Sequence, residues 1–147
     1  MATSDFVYTS AIRKIRAMSA RKKVIQGGTS ASKTFGILAV LIDHAARHKR
    51  TEISVVSESI PHLRRGAIKD FAKIMQMTNR WRDDGWNKTL LTYHFANGSY
   101  IEFFSADQEA RLRGARRNIL YINEANNIDF ESYHQLAIRT SADIYID

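Results

Sequence analysis

The sequence of 147 residues contains no cysteine. Disulfides and cysteine-held metal sites are therefore excluded. No apolar run is long enough to cross a bilayer as a helix. The opening stretch MATSDFVYTSAIRKIRAM has no apolar core after a basic start, so it does not read as a secretory signal. Acids are scarce against bases: 15 Asp and Glu stand beside 22 Lys and Arg, for a formal charge of +7. Much of that charge sits in two clusters. One is Arg13, Lys14, Arg16, Arg21, Lys22 and Lys23; the other is Arg111, Arg113, Arg116 and Arg117. Such clusters point to polyphosphate or nucleic acid as a partner, with a solvated basic face as the alternative.

What is present suits one globular domain. Hydrophobic residues make up 44%, and the chain is long enough to bury a sizeable core. Residues 10–23 read as a short basic helix or arm. KVIQ, residues 23–26, reads as a strand that runs into a glycine pair. From Ser32 to about His48, Phe35, Leu38, Leu41, Ile42 and Ala45 recur at helical spacing. The β-branched run within 53–59 predicts a buried strand. Ser59 then offers an N-cap, the sequence's single proline (Pro61) lies near the first turn, and Leu63, Ala67, Ile68, Phe71, Ile74 and Met75 share one helical face. Asn97-Gly98, between LLTYHF and SYIEFF, predicts a hairpin over Leu90 to Ser105 closed by a two-residue turn. Residues 111–117 read as a basic loop, 119–122 as a buried strand, 129–139 as a helix and 142–146 as a further strand. Strands alternating with helices predict an α/β fold with a mainly parallel sheet. The stop at Asp147, directly after an apolar strand, reads as a C-terminal truncation.

The stretch QGGTSASKTFG, residues 26–36, approaches the phosphate-loop pattern G-x-x-x-x-G-K-[ST] but lacks its second glycine, with Ser32 in its place. Such a loop needs inward-turned backbone amides, a lysine for the β and γ phosphates and a hydroxyl for Mg²⁺. Lys33 and Thr34 meet the last two needs, and the small residues of GGTSAS meet the first. Ser32 costs some backbone freedom without blocking the loop. A match this good arises by chance in roughly one per cent of chains of this length. The alternative is a glycine turn with a serine N-cap.

A phosphate loop needs an apolar strand ending in an acid that holds the metal. ILYINEAN is the best candidate, but position 123 is asparagine where aspartate is expected. Asn123 can accept from a metal-bound water through its carbonyl oxygen, without charge, so metal affinity should lean on Thr34 and the phosphates. Glu124 is placed to polarise an attacking water as general base. The 91 positions between Lys33 and Glu124 suggest the phosphate-loop class with an extra strand between the lysine strand and the acid strand.

GGTSASKT, then VVSES with LRRGAIKDF, then ARLRGARRNILYINEAN, in this order and spacing, resembles the ATPase domain of the large terminase subunit of tailed double-stranded DNA bacteriophages. The resemblance covers about residues 22–147 and leaves 1–21 as a basic N-terminal segment. It implies a partial P-loop ATPase domain that hydrolyses ATP with Mg²⁺ to drive viral DNA into a capsid, with the family's C-terminal nuclease absent. It matches Gly27, Gly28, Thr29, Ser30, Ala31, Ser32, Lys33 and Thr34 to the phosphate loop, and Asn123 and Glu124 to the metal and catalytic positions. Thr29 stands where many members carry a loop arginine. Arg113, before a glycine, fits an arginine finger that completes a neighbouring subunit's site, with Arg111 second. IYID resembles the start of the segment that couples hydrolysis to movement. Implied partners are double-stranded DNA, the small terminase subunit, a portal protein and further copies in a ring, in the cytoplasm of an infected bacterium.

Two other readings stay open: a helicase-like P-loop ATPase, and a nucleotide- or DNA-binding module without turnover. The second is favoured by Ser32 and Asn123 and opposed by Glu124. His44, His48, His62, His94 and His134 show no metal-ligand spacing. Trp81 and Trp86 read as core or loop packing. Gln26 is a weak candidate for positioning nucleotide.

Overall fold

The apolar runs become seven strands among the residues described by a computed structural model. These are 10–26 and 30–147, without the side chains of Ala11, Ser30, Ala31 and Glu109. The strands are β1 (Lys22–Val24), β2 (Glu52–Ser57), β3 (Trp86–Asn87), β4 (Thr92–His94), β5 (Tyr100–Ser105), β6 (Ile119–Ile122) and β7 (Ile144–Ile146). They form one sheet in the order β1-β7-β6-β2-β5-β4-β3. The first five in that order are mutually parallel, and β4 and β3 run antiparallel at the far end. The extra strand between the loop strand β1 and the acid strand β6 is therefore β7, the last strand in sequence.

Among the described residues six α-helices accompany the sheet: α1 (Ser10–Ala17), α2 (Ser30–Arg47), α3 (Ile60–Arg65), α4 (Ala67–Met77), α5 (Glu109–Gly114) and α6 (Phe130–Ala137). Both sheet faces are apolar because successive strand residues point to opposite sides. Val55, Phe103, Tyr121 and Tyr145 join Ile37, Leu41, Phe71 and Met75 of α2 and α4 in one core. Val56, Phe104, Leu120 and Ile144 join Leu112 of α5 and Leu136 of α6 in the other. Helix α1 is part of the first core: Ile12 and Ile15 are buried, and Ile15 lies so close to Gly36 that a Cβ there would meet its Cδ1 at 3.1 Å. Trp81 and Trp86 belong to an aromatic cluster with Phe71 and Tyr93, as packing residues.

Three local expectations change. The helix read through Leu63 to Met75 is two helices, interrupted at Gly66, whose backbone (φ −112°, ψ −95°) is not helical. The hairpin closes through three residues, 96–98, because Phe95 N–H already bonds Ser99 C=O at 2.8 Å and Gly98 alone among them has positive φ. Asn97 instead turns its side-chain NH₂ to the carbonyls of Ala45 (2.8 Å), Ala46 and His48, capping the C-terminal end of α2. Those carbonyls lack partners within the helix, which is why the asparagine is drawn to them.

The basic stretch 111–117 is also more than a loop. Its first residues are the end of α5, and two of its four arginines face inward. Arg117 is 3% exposed and donates to Ser54 Oγ (2.8 Å), Leu136 C=O (3.1 Å) and Ala115 C=O (3.2 Å). Arg111 pairs with Glu102 at 2.9 Å and lies over the Phe104 ring. Arg113 and Arg116 are exposed. The first basic cluster divides likewise. Lys23 is buried against Asp143 at 3.1 Å and the Tyr145 ring, and Arg21 donates to Thr140 C=O at 2.6 Å. Arg13 and Lys14 point outward. Part of the basic excess therefore holds the fold together.

Candidate functional site

Parallel strands present their carboxyl ends together, and open α/β sheets bind ligands outside those ends. Here Val24, Ile146 and Ile122 are in register across β1, β7 and β6, so the residues after them converge. After β1 comes the glycine loop. Gly27, Gly28 and Thr29 lie outside the described residues. Beyond them α2 begins at Ser30, so Ser30 to Thr34 form its first turns, where backbone N–H groups have no helical acceptor and favour anions. Ser32 is exposed, Lys33 half-buried and Thr34 buried.

Thr34 meets the acid strand directly. The Asn123 amide nitrogen donates to Thr34 Oγ1 at 3.1 Å and to Tyr121 Oη at 3.0 Å, while Asn123 Oδ1 accepts from Ser57 Oγ at 3.0 Å. A third side chain fixes this sense. Asp147, following β7, accepts the Tyr121 hydroxyl proton at Oδ2, and a carboxylate can only accept. The Tyr121 oxygen must therefore take its own hydrogen bond from Asn123, which turns the Asn123 NH₂ toward Thr34. The carbonyl oxygen expected to face a metal-bound water is thus turned to Ser57. Burial, then the Asp147 charge, pushes the Tyr121 phenol well above its ordinary pKa, so it remains a donor.

Glu124 stands at the mouth of the site, its side chain 36% exposed, in the left-handed region at φ 54°, ψ 58°. A non-glycine residue there carries about 1 kcal/mol or more of strain and persists where its surroundings over-determine it. The surroundings are Asp147 again: its Oδ1 accepts Glu124 N–H at 2.6 Å, and its backbone carbonyl accepts Ala125 N–H at 2.9 Å. The Glu124 carboxylate is 3.5 Å from His62 Nε2, and His62 Nδ1 lies 3.3 Å from Ser59 Oγ and 3.7 Å from Glu58.

The structure thus brings Thr34, Asn123 and Glu124 together, as the sequence reading expects, and adds two residues that reading left out. His62 carried no local signal, because its place depends on how α3 leaves β2. Asp147 did carry one: it is an acid directly after an apolar strand, the same pattern that singled out Glu124. Hard oxygen donors and a lysine around a helix N-terminus have the chemistry that a magnesium nucleotide would need, with the Thr34 hydroxyl as a group that would hold the metal. No cluster of three His, Cys, Asp or Glu suited to a metal alone occurs among the described residues. A cleft of about 890 Å³ opens at the other end of α2, between Arg47, Gln76, Arg80, Trp81 and Asn97, and includes none of these residues. No helix among the described residues is long and apolar enough to cross a membrane.

Residues 19–144 match the family model described as phage terminase large subunit. No curated protein matches. Among solved structures, the large terminase of a thermophilic bacteriophage is similar at a TM-score of 0.79 and 13% identity, over 96% of this chain and 39% of that one. The same phage's large terminase in complex with ADP is similar at a TM-score of 0.71 and 12% identity, over 95% and 38%. The large terminase ATPase domain of Thermus phage P74-26 is similar at a TM-score of 0.66 and 15% identity, over 97% and 65%. The chain spans about two fifths of the length of the first of these terminases.

Proposed function

This chain belongs to the phage terminase large subunit family, and from that premise we propose that it is the ATP-hydrolysing motor domain that drives viral double-stranded DNA into a capsid. The observation that carries the proposal is that Asn123 donates to Thr34 Oγ1 in the first turns of α2 while Asp147 accepts from Glu124 N–H beside it, at the ends of β6 and β7. A domain that only bound nucleotide would have no use for a strained acid at the mouth of the site.

Lys33 binds the β and γ phosphates. Thr34, at the floor, offers its hydroxyl to the metal, which when bound neutralises charge developing on the phosphates. Glu124 takes up the proton of the attacking water. The arginine finger is Arg113, supplied to a neighbouring copy in a ring; Arg111 is poorly suited because Glu102 and Phe104 already hold it. The small terminase subunit, a portal protein and the cytoplasm of an infected bacterium complete the setting that the family implies.

Calorimetric titration of Mg²⁺-ATP into the chain, beside Lys33→Ala, tests the site. Removing a charge-assisted contact to phosphate should weaken binding about tenfold or more. Equal affinity in parent and variant would remove the nucleotide reading. In the full-length subunit assembled on DNA, Glu124→Gln should lower turnover by about 10²-fold and leave ATP bound. Undiminished turnover would show that another group accepts the proton.

A further inference from the structure

Asn123 leaves the expected metal strand without a charge, and the sheet supplies one a strand away. Ile122 of β6 and Ile146 of β7 are paired in parallel register, so the next residues, Asn123 and Asp147, leave adjacent strands side by side. Neighbouring strands are about 4.8 Å apart, within reach of one small ligand. The side chains do meet: both Asp147 carboxylate oxygens lie 3.4–3.5 Å from the Asn123 nitrogen that donates to Thr34 Oγ1 at 3.1 Å. The Thr34 hydroxyl and the Asp147 carboxylate thus flank the same NH₂ group.

We propose that Asp147 is the acidic group of the magnesium site, carrying from β7 the charge that aspartate at position 123 would carry from β6. The inference rests on the nucleotide reading above and adds to it the residue responsible for metal dependence. Tyr121 Oη donates to one carboxylate oxygen and Glu124 N–H to the other, and the Asn123 NH₂ lies within weak hydrogen-bond reach of both. A bound Mg²⁺ would hold several of its waters, so the carboxylate need not touch the ion to lend it charge. Asp147 would thus supply the negative charge beside the ion, and Thr34 would offer its hydroxyl to it. Asn123 serves as a neutral spacer. An aspartate there as well would set two carboxylates in contact, with no proton donor between them to replace the asparagine NH₂. The arrangement also explains the orientation of that amide, which is the reverse of what a metal-facing asparagine needs. By fixing the Glu124 backbone, the same carboxylate joins metal binding to the placement of the general base.

The test compares ADP affinity with Mg²⁺ and with chelator present, by fluorescence competition, in the parent, Asp147→Asn, Asn123→Asp with Asp147→Asn, and Lys33→Ala. The quantity read is the ratio of the two affinities, which needs no turnover. The parent should bind ADP more tightly with Mg²⁺. In Asp147→Asn the advantage should fall about tenfold, the scale of one lost charged contact, with metal-free binding kept. The exchanged pair, which returns the charge to position 123, should recover most of it. Lys33→Ala should lose affinity in both conditions. If Asp147→Asn keeps the parent's ratio, the acid lies elsewhere and the proposal falls. If the ratio is lost and the exchanged pair does not recover it, Asp147 acts by holding the backbone and the proposal falls equally. A parent that binds no ADP in either condition overturns the nucleotide reading, and this inference with it.

Discussion

Arg117→Ala is expected to cost the fold about 3–5 kcal/mol, a large part of the stability of any domain this size. The guanidinium is buried between the two layers it joins. It donates to Ser54 on β2 and to the Leu136 carbonyl at the end of α6, and Ser54 in turn donates to Glu102, which holds Arg111. Truncation at Arg117 leaves the buried Leu136 carbonyl and the Ser54 oxygen without their donor, at about 1–3 kcal/mol for each buried group left unsatisfied, while Glu102 keeps Ser54 and Arg111. Burial already lowers the Arg117 pKa from its ordinary value, with the Glu102 charge opposing the shift. Urea denaturation beside Arg116→Ala measures the effect. The exposed neighbour should change stability by no more than about 0.5 kcal/mol. Equal losses at the two positions would mean that the buried network carries no special weight.

Arg113→Ala, four positions earlier, is expected to leave stability alone and to cut ATP turnover of the assembled full-length subunit on DNA by about 10³-fold, as loss of an arginine finger does. Arg113 is exposed on the last turn of α5, where a neighbouring copy could receive it. A finger supplied in trans can be separated from a residue acting in its own site. Subunits carrying Arg113→Ala keep an intact site, and subunits carrying Glu124→Gln keep an intact finger. Mixed in one assembly, they should recover part of the turnover that each lacks alone. No recovery on mixing, or normal turnover in Arg113→Ala alone, would remove the finger assignment.

These two arginines show where the sequence was readable. RLRGARR is uniformly basic as text, and neither charge nor spacing separates the pair that faces the sheet from the pair that faces solvent. The separation is made by Glu102 and Ser54, which come from strands β5 and β2. Strong local patterns fared better. The alternation of strands and helices, the helical face of Leu38, Leu41, Ile42 and Ala45, and the Ser59 cap, which accepts from His62 N–H, all depend on neighbours in sequence. Strand order does not: the separation of Lys33 from Glu124 suggests an extra strand between β1 and β6, but not that the last strand β7 fills the place, nor that Asp147 thereby meets Asn123. The hairpin turn differs for the same reason: Asn97-Gly98 suits a two-residue turn locally, but the end of α2 takes the asparagine side chain.

The place of β7 also sets an order of events during biosynthesis. Among the described residues, strand β1 is at one end of the sheet and pairs with β7, through Lys22 with Ile144 and Val24 with Ile146. A ribosome adding roughly 5–20 residues per second needs on the order of 6–24 s to travel between those paired segments. Throughout that interval β7, the strand that β1 pairs with, is not yet made, while β2 to β6 can already pair among themselves. The nascent chain thus assembles the β2 to β6 part of the sheet before it can complete the strand ends that flank the proposed nucleotide site.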